Sequence, residues 1–206
     1  LLSQPSGCFE QTSSSSYPNI MVLKYLKKNN IVDKKSTAKA LDYLRTAYKR
    51  LSAFEVKGGG FSLYGSSPAV PWLSAYGLIQ FHEMKPFINV DDKLLDRTWR
   101  FVEPRLAKLR GAKLYFTLRA AQKCGYPLDP HFRKKARETI KEASADNYTK
   151  IQALLFLAEG KADNLQALFA KVYEELLLSG NNERGLSYSY GRTLKTEKAA
   201  NLLMAA

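Results

Sequence analysis

The sequence predicts an all-α fold, and three observations carry that prediction. Apolar residues recur every three to four positions, as in Ile20, Leu23 and Leu26 and again in Ala40, Leu41, Leu44, Ala47 and Leu51. β-branched stretches with period-two alternation are almost absent. Glycine-aromatic loops precede helices rich in small residues, which lets those helices pack closely against neighbours. Together these predict an α/α toroid of helical hairpins with about nine helices in one domain, with an irregular helical bundle as the alternative.

The elements can be justified in order. The first helix carries Ile20, Leu23 and Leu26 on one face, with Lys24, Lys27 and Lys28 mostly opposite. Asn29-Asn30 separates it from the second helix, for which Asp33 or Ser36 is the candidate cap. Further helices are expected over residues 72–84, 91–109, 114–124, 130–143, 148–158 and 163–178, and a last one from about residue 195 to the end. Gly58-Gly59-Gly60-Phe61-Ser62-Leu63-Tyr64-Gly65 stands ahead of the alanine-containing helix near Ala75. Gly185-Leu186-Ser187-Tyr188-Ser189-Tyr190-Gly191 stands similarly ahead of Ala200. The two make a weak internal repeat, each a glycine-punctuated turn whose aromatics cover the end of a helix layer.

Composition excludes several classes of function. The chain has 206 residues, 45% hydrophobic and 25% charged, which are globular proportions. No apolar run reaches the roughly 18–20 residues of a transmembrane helix. There is no signal peptide, and Leu1 is not a start methionine, so a mature chain or an excised fragment is expected. Two His and two Cys without a metal-binding spacing argue against a metal site, and no cofactor is expected. The 32 Lys+Arg against 19 Asp+Glu leave a net charge of +13. Solvated helix faces explain such an excess most simply, and anionic partners remain compatible with it. Gly58-Gly59-Gly60 follows no strand and leads to no Gly-Lys-Ser/Thr, so it is not a phosphate loop. Ser36-Thr37-Ala38-Lys39 lacks the partner motifs of a serine acyl-enzyme and reads as a helix start.

The stretch that suggests chemistry is Pro5-Ser6-Gly7-Cys8-Phe9-Glu10-Gln11, followed by Thr12-Ser13-Ser14-Ser15-Ser16-Tyr17-Pro18-Asn19. A thiolate at Cys8 can attack the Gln11 side-chain carbonyl, expel ammonia and leave an internal thioester. Amides resist this attack, so the fold must hold the two groups together. The i, i+3 spacing puts both on one face of a helical turn. Gly7 permits the tight backbone that the ring needs. Phe9 and Tyr17 are candidates to keep hydrolytic water away. Spacing by itself fits better a buried free cysteine beside a polar helix-cap residue.

The motif resembles the Gly-Cys-x-Glu-Gln thioester signature of the α2-macroglobulin and complement family. The form Pro-Ser-Gly-Cys-Phe-Glu-Gln-Thr-Ser-Ser is most similar to bacterial α2-macroglobulin-like proteins. The resemblance continues through Tyr17-Pro18-Asn19-Ile20-Met21-Val22-Leu23-Lys24-Tyr25-Leu26 and Ala47-Tyr48-Lys49-Arg50-Leu51. It extends to Gly59-Gly60-Phe61-Ser62-Leu63-Tyr64-Gly65 and Trp72-Leu73-Ser74-Ala75-Tyr76-Gly77-Leu78, and fades after about Phe101. It implies one thioester domain over residues 1–206, a fragment of a much larger multidomain protein, with the family's α/α toroid incomplete at the C-terminus. It implies that Cys8 supplies the sulfur and Gln11 the acyl carbon, with Gly7, Phe9, Glu10 and Tyr17 in support and Glu10 orienting the loop. The implied function is protease inhibition in innate defence. A protease cuts a bait region, the thioester is exposed, and a lysine amine or surface hydroxyl is joined to residue 11. Such a protein is a single-turnover trap and not an enzyme. Its partners would be proteases and the other domains of the parent chain, with no specific nucleic acid. Its place would be extracellular or periplasmic, and an anchored parent protein is compatible with that.

Some features depart from the family. Members that prefer hydroxyl targets carry a His after the fourth helix, and Glu103-Pro104-Arg105-Leu106-Ala107-Lys108-Leu109-Arg110-Gly111-Ala112 holds none. His82 reads as a helix-end residue and His131 as a surface or capping one, so direct attack by amines is expected. Cys124 reads as a buried structural thiol. The rival functions are a degenerate thioester-fold interaction module, and a basic helical scaffold binding anionic surfaces through Lys24, Lys27, Lys28, Lys34, Lys35, Arg133, Lys134, Lys135 and Arg137. A toroid hydrolase or cyclase is disfavoured, because Asp91-Asp92 and Glu174-Glu175 are adjacent pairs that cannot converge on one substrate.

Overall fold

A computed structural model describes residues 2–179. The described residues form eight α-helices, one 3-10 stretch and no strand, with a single isolated bridge between Glu55 and Phe61. The helices are α1 (Phe9–Lys28), α2 (Lys34–Ser52), α3 (Pro71–Met84), α4 (Asp92–Val102), α5 (Gly111–Lys123), α6 (His131–Lys141), α7 (Asn147–Glu159) and α8 (Gln166–Ser179). The all-α class is thus observed. The second glycine-aromatic loop and the expected last helix lie outside the described residues. Contacts divide the chain into two compact units, Leu1–Ala107 and Lys108–Ala206.

In the first unit α1 pairs with α2, α3 with α4, and α1 also meets α3. Its core is built on Phe9, Ile20, Leu44, Leu51, Phe61, Leu78 and Phe81, all fully buried. Helix α1 starts well before the apolar repeat that suggested it. Its first half is Phe-Glu-Gln-Thr-Ser-Ser-Ser-Ser, with little helical preference. These residues back-bond along the helix: the Ser15 hydroxyl donates to the Gln11 carbonyl at 2.8 Å, and that of Ser16 to the Ser13 carbonyl at 3.1 Å. Pro18 lies inside the helix, where it leaves the carbonyl of exposed Ser14 to solvent. Asp33 caps α2, accepting from the Ser36 N–H at 2.9 Å, so Ser36 is the donor and not the cap.

Several expected boundaries are corrected. The helix expected over 91–109 stops at Val102, and Glu103–Lys108 continues as a 3-10 stretch. Pro104 has no N–H to extend the α-helical ladder. The fifth helix starts earlier than expected, at Gly111, whose φ of +55° makes the entry. The sixth ends at Lys141, two residues short of expectation. The eighth begins at Gln166 and not 163, because Asn164 sits at φ +56° and breaks the run.

In the second unit α7 packs against α5, α6 and α8. Residues 149–157 of α7 are buried in succession, which marks it as the central helix of that unit. The ring of Tyr115 lies 6.4 Å from that of Phe156 in its core. Besides Thr149, bonded to Asp146, two polar residues of α7 are buried with partners. Lys150 meets Glu175 at 2.5 Å, and Gln152 accepts from Arg119, which also holds Glu159 with two hydrogen bonds.

Candidate functional site

Cys8 is the N-cap of α1, and Gln11 occupies the third helical position. The two form a reciprocal cap. The Cys8 sulfur accepts from the Gln11 backbone N–H, and Gln11 Oε1 accepts from the Cys8 backbone N–H at 3.0 Å. The Gln11 carboxamide therefore folds back over the turn that holds the thiol. Gly7 makes room for it. Its φ is +81°, and a Cβ there would lie 2.1 Å from Gln11 Oε1 and 2.9 Å from Cδ. Any larger residue would push the carboxamide away from Cys8.

Three contacts from outside the motif fix this turn. The Thr12 hydroxyl, fully buried, donates to the carbonyls of Ser6 at 3.1 Å and Gly7 at 3.2 Å. Arg50, in the last turn of α2, donates from Nη2 to the Gly7 carbonyl at 3.2 Å. The Phe9 N–H, an orphan donor at the start of α1, is taken by the Leu63 carbonyl at 2.9 Å. Leu63 is placed by the glycine-aromatic loop. The Val56 N–H donates to Gly60 at 2.9 Å, and the Phe61 N–H to Ser74 Oγ at 2.8 Å. Gly60 could carry no Cβ, which would fall 2.3 Å from the ring of Phe101 in α4. The upstream chain is anchored as well, for Asn19 Nδ2 donates to the Ser3 carbonyl at 3.0 Å.

The predicted supporting residues separate. Phe9 is fully buried, its ring 5.1 Å from Phe61 and 6.1 Å from Phe54. It anchors the turn in the core and does not cover it: Cys8 is half-buried and Gln11 exposed. Glu10 is exposed in the first turn, where a negative charge suits the helix N-terminus. Tyr17 is half-buried two turns on. Burial, then the charge and hydrogen bond of Glu83, push its phenol well above the ordinary value. Glu83 is buried in α3 and meets Lys24 Nζ at 3.0 Å, so Tyr17 belongs to the α1–α3 contact. Gln80, also buried on α3, donates to Ser16 Oγ and to the Ser13 carbonyl, strengthening that contact.

The other singled-out residues lie elsewhere. His82 is in the last turn of α3. His131 is exposed at the start of α6, with Nδ1 3.0 Å from Asp129. Cys124 is half-exposed as the C-cap of α5, which corrects the expectation of a buried thiol: a cap position leaves the helix and meets solvent. Neither Cys8 nor Cys124 is in a disulfide. Asp91 caps α4 and Asp92 opens it, so that acidic pair has a structural use. Sequence reasoning missed Thr12, Arg50 and the Leu63 carbonyl. Thr12, four residues after Cys8, was legible as a polar residue on the same helical face. Arg50 and Leu63 carried no local signal.

A helical domain that folds a glutamine carboxamide back onto a cysteine N-cap, beneath a glycine-aromatic loop, defines a thioester-type domain. The family described as the A-macroglobulin TED domain matches residues 1–107, slightly more than half of the chain. The chain belongs to this thioester-domain family of the α2-macroglobulin and complement proteins, whose domains are α/α toroids. No described helix is long and apolar enough to cross a membrane.

Proposed function

We propose that Cys8 and Gln11 form an internal thioester, and that the chain acts as the covalent trap of an α2-macroglobulin-like protease inhibitor. The observation that carries this reading is the reciprocal cap, which folds the Gln11 carboxamide onto the Cys8 turn across Gly7. Such proximity is what an unreactive amide needs before a thiolate can attack it. The Cys8 thiol loses its proton, and sulfur bonds to Gln11 Cδ. The Cδ–Nε2 bond then breaks, and nitrogen leaves as ammonia. A lysine amine of a captured protease later attacks the same carbon, forms an amide and releases the Cys8 thiol. Each domain reacts once, so this is trapping and not turnover.

The amine preference rests on the stretch Glu103–Ala112, which holds no His where hydroxyl-preferring members carry one. The exposed setting of Gln11 suits a parent protein in which another domain covers the ester until proteolysis. In this reading residues 1–206 belong to one thioester domain, and the parent acts outside the cell or in the periplasm. The intact mass of the native chain tests it. The expected mass is lower than the sequence mass by one ammonia, with no free thiol at residue 8. Methylamine should then add to residue 11 and expose that thiol. A full sequence mass with a methylamine-inert Gln11 would favour the fold serving only as an interaction module.

A further inference from the structure

We propose that the Cys8 backbone N–H is the oxyanion donor for the acyl chemistry at Gln11, and that Arg50 is a positioning residue that strengthens it. This rests on the thioester reading above. The atom that gains negative charge when a nucleophile attacks Gln11 Cδ is Oε1. That atom already accepts the Cys8 N–H at 3.0 Å, within the range of an oxyanion contact. It is confined there, because it lies over the bare Cα of Gly7, where a Cβ would come within 2.1 Å. The same oxygen is retained through every step. Thiolate attack sends the carbonyl π pair onto Oε1, and the pair returns as ammonia departs. Amine attack on the thioester sends it to Oε1 again, and it returns as the Cδ–S bond breaks and sulfur takes a proton. One N–H therefore serves both making and opening the thioester.

Arg50 acts on the other end of the same peptide group. The Gly7 carbonyl and the Cys8 N–H belong to one planar unit. Its oxygen accepts from the Arg50 guanidinium at 3.2 Å and from the Thr12 hydroxyl at 3.2 Å. A cationic donor on the carbonyl draws electron density from the nitrogen, so the N–H becomes a stronger donor to Oε1. It also fixes the plane, which aims the N–H. Thr12 supplies the orientation alone, and Arg50 adds the charge. Arg50 reaches the turn from 43 residues away in sequence, so the oxyanion contact depends on the α1–α2 pairing.

The test compares Arg50→Gln and Arg50→Lys with the unaltered chain by two readouts. The first is the second-order rate of methylamine addition at residue 11. Arg50→Gln should slow it about tenfold, less than the loss of a direct oxyanion donor, and Arg50→Lys should restore most of the rate. The second is the infrared carbonyl stretch of the thioester, isolated by carbon-13 at residue 11. It should move to higher frequency in Arg50→Gln, as a weakened hydrogen bond requires, and return in Arg50→Lys. A stabiliser of folding alone would change the melting temperature and leave the stretch where it was. An unaltered chain that shows neither ammonia loss nor methylamine uptake would overturn the thioester reading and this inference with it. An unaltered chain that forms the thioester, with Arg50→Gln matching its rate and stretch, would overturn this inference alone.

Discussion

Gly7 shows how a single missing side chain sets the geometry of the Cys8 turn. Its backbone lies in the left-handed region, where a Cβ costs about 1–2 kcal/mol. The larger effect is steric, since Gln11 occupies the space that a Cβ would need. Gly7→Ala should displace the carboxamide from the Cys8 N–H and abolish ammonia loss, while circular dichroism keeps its helical signal. A Gly7→Ala chain that still closes the thioester would contradict this. Gly77 in α3 is used differently. Its φ is ordinary, but a Cβ would lie 3.1 Å from the rings of both Phe61 and Phe9. The motif's own phenylalanine thus packs against a glycine 68 positions later in the chain. Motif residues Cys8, Gln11 and Gly7 were legible in the sequence because their chemistry is local. Arg50 was not, since nothing near it in the chain indicates what its guanidinium touches.

At the scale of the element, caps decide where helices start. Asp146 caps α7, accepting from the Thr149 N–H at 2.9 Å and its hydroxyl at 2.6 Å. Partial burial works to raise its pKa, and the Thr149 hydrogen bonds more than offset this, so its carboxyl lies below the ordinary value of 3.8. A lowered folded-state value means that the cap stabilises the protein above the unfolded value. That stabilisation is lost as pH falls below about 3.8 through the folded value. Asp146→Ala should cost about 1 kcal/mol at neutral pH, and the difference from the unaltered chain should shrink on acidification below that point. Denaturant unfolding at a series of pH values measures both, and a difference constant down to strong acid would refute the assignment. The helix periods in the second halves of these elements were legible. The polar first half of α1 was not, because it is held by distant partners: Gln80 donates to Ser13 and Ser16, and the Leu63 carbonyl takes the Phe9 N–H.

For the molecule as a whole the net charge of +13 is the property that no single contact explains. Many of its lysines are exposed, among them Lys27, Lys28, Lys34 and Lys35 around the α1–α2 turn. A field of one sign raises the encounter rate with anionic partners, and salt screens it. Transfer from residue 11 to an acidic protein should therefore slow steeply as salt is raised, while transfer to neutral hydroxylamine should barely change. Equal salt dependence for the two nucleophiles would remove any steering role for the charge. In the proposed trap such steering would favour capture of acidic targets, and it needs no fixed anion site.

The sequence by itself determined the all-α class, the family and the Cys8–Gln11 motif, because each is written in local spacing. Helical period follows from 3.6 residues per turn, and a thioester ring needs only a cysteine, a glutamine and a glycine within one turn. Only the tertiary structure decided what holds that turn. It brought Arg50 and the Leu63 carbonyl to the motif, turned Phe9 inward as an anchor, and left Gln11 exposed. The physical reason is that hydrogen bonds between distant segments form when helices pack, and packing is chosen by the buried faces of all of them together.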